Sequence, residues 1–464
     1  MNAAEKIAEA TRGTQWENRL YLVGGAVRDP LLGLPSPQEI DILVDGDALE
    51  FGYFLREKGI SSIEPVTYPR FGTALVMVNH SKVELASPRR ESYDPQSRKP
   101  DVVPATLEED ALRRDFTINA LFKNLHTGDI LDFTGRGLED IKHKILRTPL
   151  EPAATFRDDP LRMLRAVRFK NQLSLSYAPG LTEAIKQERD RLEIVSMERI
   201  QEELTKMLSH PSAAECLEEL MDFGLLPKFI PELEEGIGVE QGTYHTKDVW
   251  EHTLDVVRNA AHLEIPDSHQ KYLIVLGALF HDIAKPRTKS IDEDGRIRFF
   301  EHERVGGEMT YEIMKRLKFP KADCDSVAKL VRNHMRLGSA PTFTASAARK
   351  LIRDMGELTE PLLLLCEADA RAVGKIPKGI DFDAIRKKIA EVQTEIKEAG
   401  LTSPLNGEEI MQELGITEGP EVGKWKRVLE QAVLEGEIPP GDKAAARSFL
   451  HEAYKKSLQS NTST

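Results

Sequence analysis

"YLVGGAVRDPLLGLPSPQEIDILV", from Tyr21 to Val44, is the stretch on which the reading of this chain turns. A short apolar run ends at Gly24-Gly25, an apparent helix follows, and a second apolar run carries Glu39 and Asp41 at alternate positions. Side chains of a strand repeat every second residue, so the alternation predicts both carboxylates on one face. Two such acids repel unless something positive lies between them. A solvated strand end is the plain explanation; a divalent metal is the chemical one. The glycines let backbone approach a ligand closely, because no Cβ intervenes. A helix start behind them would offer unpaired N–H groups to phosphate, with Arg28 one turn inside. Downstream, "KVELAS" sets Glu84 in a further short apolar strand. Glu39, Asp41 and Glu84 on neighbouring strands suit Mg²⁺ and in-line phosphoryl transfer, since Mg²⁺ takes oxygen ligands and lets substrate phosphates supply the rest.

The 464 residues are 40% hydrophobic, enough for several cores. "MNAAEKIAEATRG" has no signal-peptide core, and no apolar run is long enough to span a bilayer. Cys216, Cys324 and Cys366 are widely spaced and fit buried reduced thiols, so a cytoplasmic location is expected. The net charge of -13 speaks against a general nucleic-acid coat protein but leaves room for a local basic face.

Strands are predicted in "RLYLVG", "EIDILV", "TALVMV", "KVELAS" and "GDILDF", and a helix beginning near Asp47. The basic, proline-rich "SPRRESYDPQSRKPDVVPAT", Ser87 to Thr106, reads as a mobile loop. From Phe156 onward the apolar spacing is helical almost throughout, and the final "SLQSNTST" reads as disordered. The expected fold class is α+β: a small head with a mixed or antiparallel sheet over residues 1–150, a helical neck over 151–235, and helical segments over 236–380 and 381–464.

Taken together, "VGGAVRDPLLG…EIDILV", "YPRFGTALV", "LEEDALRRDFTINAL", "FRDDPLRMLRAVRF" and "SMERIQEEL" resemble the class II CCA-adding tRNA nucleotidyltransferases and the related bacterial poly(A) polymerases, of the DNA polymerase β superfamily. The resemblance runs from about Leu20 to Leu208. It implies that Glu39 and Asp41 bind metal, that Glu84 is the third catalytic acid, and that Gly24, Gly25 and Arg28 cradle a triphosphate. It also implies nucleotide contacts from Arg114, Asp115 and Asn119 and from Arg165 and Arg168. Most relatives have Asp where this chain has Glu39, and many have Glu where it has Asp158.

In "DDPLRMLR", Asp159 suits a helix cap, Pro160 the first turn, and Arg162 the same face three residues on. An N-capped basic helix is the plain account. Edge chemistry adds another: cytosine and adenine both place an amino donor beside a ring acceptor, which one carboxylate and one guanidinium satisfy. Uracil and guanine reverse that polarity and are rejected. The family uses this pair in that way.

A second set of residues lies beyond. "TKDVWEHTLDVV" holds His252 in an amphipathic helix, and "KYLIVLGALFHDIAKPRTK" ends an apolar helix with His281-Asp282. Burying a carboxylate without a partner is costly, and a metal removes that cost. His302, His334 and Asp369 complete a mixed imidazole and carboxylate set suited to Mg²⁺, Mn²⁺, Ni²⁺ or Fe rather than structural zinc. The order resembles the HD phosphohydrolase superfamily over roughly Asp248 to Val373, whose members hydrolyse phosphomonoesters or cyclic phosphates.

The resemblance therefore implies CMP and AMP addition to a tRNA 3′ end from CTP and ATP, with no membrane and no obligate protein partner inferred. A-only or CC-only addition and poly(A) synthesis are alternatives within the same chemistry. "LVDGDALE" and Glu39 are similar to A-adding relatives, while the long basic loop is similar to full CCA-adding ones. An HD hydrolase with a nucleotide-sensing head is the alternative of another class.

Overall fold

The apolar run at Leu20–Leu22 (β1) and the acid-bearing run at Ile40–Val44 (β2) become adjacent antiparallel strands, with Leu20 opposite Val44 and Leu22 opposite Ile42. The computed structural model describes residues 2–37, 39–92, 101–242, 247–337, 343–373, 381–399 and 402–461. The chain divides into two units, Met1–Glu234 and Glu235–Thr464.

In the first unit the remaining strands are Val66–Tyr68 (β3), Thr73–Val78 (β4), Ser81–Ala86 (β5), Arg89–Ser92 (β6), Asp101–Pro104 (β7), Leu121–Asn124 (β8) and Ile130–Asp132 (β9). Seven of them form one mixed sheet in the order β3-β4-β5-β2-β1-β8-β9, in which β2 and β5 run parallel. One face buries Ile42, Val44, Val76, Val83 and Leu85 against Trp16 and Phe51. Phe51 lies on the expected helix, Ala48–Glu57, whose cap Asp47 accepts from the Leu49 amide. The predicted strands are β1, β2, β4, β5 and β9; β3 and β8 belong to the same sheet and were not among them.

Two expectations need correction. Part of the Ser87–Thr106 stretch is ordered pairing: β6 and β7 are antiparallel, with Arg89 opposite Pro104 and Ser92 opposite Asp101. Residues 93–100 lie outside the described residues. Backbone bonding holds the base of this ribbon, since the Arg89 amide donates to Asp110 at 3.2 Å and Arg113 Nε donates to the Arg89 carbonyl at 2.6 Å. No apolar period is needed for that. The polar C-terminus is helical as far as Asn461, because Ala446 and Leu450 of the helix Lys443–Asn461 bury against Trp425, Leu429 and Val433, and a helix once nucleated propagates. Residues 462–464 are outside the described set.

After residue 156 the described elements are helices apart from short strands: Ser176–Tyr177, paired with Ile145–Leu146, and Lys289–Ile291, paired with Ile297–Phe299. All three cysteines are buried and free. Among the described residues no helix is long and apolar enough to cross a membrane.

Candidate active site and metal centre

Parallel pairing of β2 with β5 makes Asp41 and Glu84 direct register partners. Burial, then the charge of Glu84, then that of Glu39 raise the Asp41 carboxyl above its ordinary range, against the opposing Arg114 and Lys82. That is the signature of clustered acids short of a counter-charge, so the donor set fits a divalent cation. Gly24 holds a positive φ of 62°, and a Cβ there would stand 3.7 Å from Asp41 Oδ2, so backbone and acid share one narrow space. Glu39 acts on Asp41 through its charge, from just outside the strand that alternation predicts. Pairing begins at Ile40, and Glu39 lies in the bend before it, exposed and 3.2 Å from Lys82 Nζ.

Asp41 and Glu84 open onto a cleft of about 960 Å³ whose lining also includes Arg114, Asp115, Asp159, Arg162 and Arg165. A continuous chain of polar contacts backs it. Arg28 Nη1 donates to Asn119 Oδ1 at 2.7 Å, Asn119 Nδ2 donates to Asp115 Oδ1 at 3.0 Å, and Arg165 Nε donates to Asp115 Oδ2 at 2.9 Å. Arg165 reaches onward to Glu203 at 3.1 Å, which also pairs with Arg168 at 2.6 Å. Burial alone would raise Asp115; Arg165, the Asn119 hydrogen bond and Arg162 instead hold it down to about 2. The ring of Phe169 lies beneath the cations, 4.8, 5.1 and 4.2 Å from the Cζ atoms of Arg28, Arg165 and Arg168. Arg114 donates to Asp110 at 3.1 Å and to the Asn119 carbonyl at 3.2 Å.

Asp159 stands where the sequence placed a cap: its Oδ1 accepts from the Leu161 amide at 3.2 Å and its carbonyl from the Arg162 amide at 3.0 Å. It sits between the helices Pro152–Asp158 and Leu161–Gln172, and Pro160, with helical backbone angles, opens the second. The Asp159 carboxylate receives a fork from Arg199, at 3.1 and 2.8 Å, while Arg162 donates to the Arg113 carbonyl at 2.6 Å. Arg199 and Glu203 were not singled out as site residues. Their i,i+4 spacing on the helix Met197–Leu208 was the available signal, since it aims both along one face.

In the second unit, His252, His281 and Asp282 form one buried group of potential ligand atoms, and Asp282, His302 and His334 another. Asp282 belongs to both: Oδ2 is 3.1 Å from His281 Nε2 and 3.6 Å from His252 Nε2, while Oδ1 is 3.6 and 3.8 Å from the Nε2 atoms of His302 and His334. Asp369 Oδ1 lies 3.1 Å from His252 Nε2. Three rings are oriented alike. The Nδ1 atoms of His281, His302 and His334 face the carbonyls of Ala278, Phe299 and Val331 at 2.8, 2.8 and 2.7 Å. Donation there fixes the tautomer and leaves each Nε2 lone pair turned to Asp282. Asp282 Oδ2 and His302 Nε2 are buried and accept or donate no well-directed hydrogen bond, although Lys285 Nζ is 2.7 Å from that oxygen. The donor set would suit a divalent metal, with Asp282 offering an oxygen to each group, and all six expected residues converge here.

Residues 20–147 match the family described as the poly A polymerase head domain, residues 176–237 the probable RNA and SrmB-binding site of polymerase A, and residues 249–374 the HD domain. The chain is 37% identical over 357 residues to the A-adding tRNA nucleotidyltransferase of Deinococcus radiodurans, covering 75% of this chain and 80% of that one. It is 34% identical over 440 residues to the CC-adding tRNA nucleotidyltransferase of Thermus thermophilus, covering 93% and 92%. The crystal structure of the Bacillus stearothermophilus CCA-adding enzyme in complex with CTP shares the fold, with a TM-score of 0.67 at 23% identity over 99% of this chain and 98% of that one.

Proposed function

We propose the following activity for a chain that belongs to the family of tRNA nucleotidyltransferases and poly(A) polymerases: template-free addition of CMP and AMP to the 3′ end of tRNA, from CTP and ATP. The observation that carries it is one cleft holding both the Asp41–Glu84 acids and the Asp159 and Arg162 side chains. The RNA 3′-oxygen forms a bond to the α-phosphorus, the bond to the β-phosphate's bridging oxygen breaks, pyrophosphate leaves, and the hydroxyl proton passes to solvent. Mg²⁺, when bound, lowers the cost of ionising the hydroxyl and neutralises the triphosphate. Asp41, Glu84 and Glu39 hold that charge in place. Gly24, Gly25 and Arg28 seat the triphosphate, and the Asn119–Asp115–Arg165 chain keeps Arg28 and its neighbours rigid. Arg114 and Arg168 add positive charge to the same seat.

Base choice comes from the Asp159 carboxylate and the Arg162 guanidinium acting as acceptor and donor towards the edges of cytosine and adenine. We assign residues 1–150 to the transferase head, 151–235 to the neck, 236–380 to a metal phosphohydrolase acting on phosphomonoesters or 2′,3′-cyclic phosphates, and 381–464 to a helical tail. The enzyme is assigned to the cytoplasm. The test uses tRNA ending before CCA, after C and after CC, with CTP and ATP supplied singly and together. Incorporation of both nucleotides in order is expected. AMP addition only to tRNA ending in CC would restrict the activity to A addition, in line with the A-adding Deinococcus relative. No incorporation on any of them would refute transfer.

A further inference from the structure

In-line transfer places the attacking oxygen and the departing pyrophosphate on opposite sides of the α-phosphorus. The strand order gives that requirement a direction. Asp41 on β2 and Glu84 on β5 are neighbours, with β1 and the Gly24–Gly25 turn on one side and β4 and β3 on the other. A triphosphate seated on the β1 side leaves the β4 side for the last nucleotide of the RNA.

That side carries the tight turn Pro69–Phe71, which ends at Gly72 in the left-handed conformation (φ 60°) and leads directly into β4. Arg70, Phe71 and Arg89 line the same cleft as Asp41 and Glu84. Phe71 is 41% exposed. Its backbone is pinned, because Arg89 Nη1 donates to the Phe71 carbonyl at 2.9 Å, and Arg70 Cζ lies 5.9 Å from the ring centroid. An apolar ring with one guanidinium near its face and another on its backbone carbonyl matches what an unpaired nucleotide presents, a π-face and a phosphate.

We infer that Phe71 is the platform on which the unpaired 3′-terminal base of the RNA stacks, with Arg70 and Arg89 facing the adjoining phosphate. The inference rests on the transferase reading and adds the position of the acceptor to it. Stacking tolerates either C or A at the terminus, since every base has a π-face, so one platform serves a growing end.

The test compares Phe71→Ala, Phe71→Leu and Phe71→Trp with wild-type enzyme already shown to add nucleotide; a wild type that adds none defeats the transferase reading, not this one. A tRNA ending in 5-iodocytidine is irradiated on the enzyme and the crosslinked peptide identified by mass spectrometry. The expected crosslink maps to residue 71 in wild type and Phe71→Trp and is lost in Phe71→Leu. KM for tRNA should rise about tenfold in the Ala and Leu variants, with KM for CTP and ATP unchanged and recovery in Phe71→Trp. A crosslink mapped elsewhere, an unchanged KM for tRNA in Phe71→Ala, or an equal rise in the nucleotide KM would overturn the inference.

Discussion

Asp115→Asn tests the polar chain behind the cleft most directly. Asp115 is buried, and its carboxyl is held at about 2 against an ordinary value of 3.8. The folded-state value is the lower one, so the ionised carboxylate stabilises the fold at pH values above 3.8, and that contribution is lost as pH falls towards 2. At neutral pH the shift corresponds to about 2 kcal/mol. Asparagine removes it, and also leaves Arg165 with only Glu203 as a counter-charge. Urea unfolding can report on the first unit alone. The chain has three tryptophans, and with Trp250→Phe and Trp425→Phe only Trp16, buried in the head core, remains. In that background the expected loss of stability on Asp115→Asn is about 2 kcal/mol or more, constant from pH 7 to 5 and narrowing below pH 4. A loss under about 0.5 kcal/mol, or one that grows as pH falls, would refute the assignment of Asp115 as an ionised anchor.

Three further outcomes are expected. Arg162→Ala should relax selection of C and A over U and G by about tenfold or more while KM for the triphosphate changes little; retention of full selection would contradict the base-edge argument. Phe169→Leu keeps an apolar side chain but removes the ring shared by Arg28, Arg165 and Arg168, so KM for CTP should rise about tenfold, read by steady-state kinetics on protein shown to be folded by circular dichroism; an unchanged KM would remove the ring from the argument. His281→Ala with Asp282→Ala should strip metal from the second unit, read by elemental analysis, and abolish phosphomonoester hydrolysis while nucleotide addition persists; unchanged metal content would remove the metal centre from consideration.

Sequence alone was sufficient wherever chemistry is local or periodic. Alternation in "EIDILV" and "KVELAS" located two strands with their acids, because strand period and burial are written in consecutive residues. The His281-Asp282 doublet was legible because a buried acid beside an imidazole needs a reason within a few residues. The parallel pairing that sets Asp41 opposite Glu84 lay beyond that reach, since register between distant strands depends on the whole sheet. So did the bend that puts Glu39 outside the strand, the fork of Arg199 on Asp159, and the sharing of Asp282 between two ligand groups. Each depends on where side chains from separate elements meet, and a guanidinium finds its carboxylate through tertiary packing, not through spacing along the chain. The sequence by itself determined which residues are equipped to hold phosphate, metal and base; only the tertiary structure decided which of them face one another, because the electrostatics that give those groups their chemistry act across space.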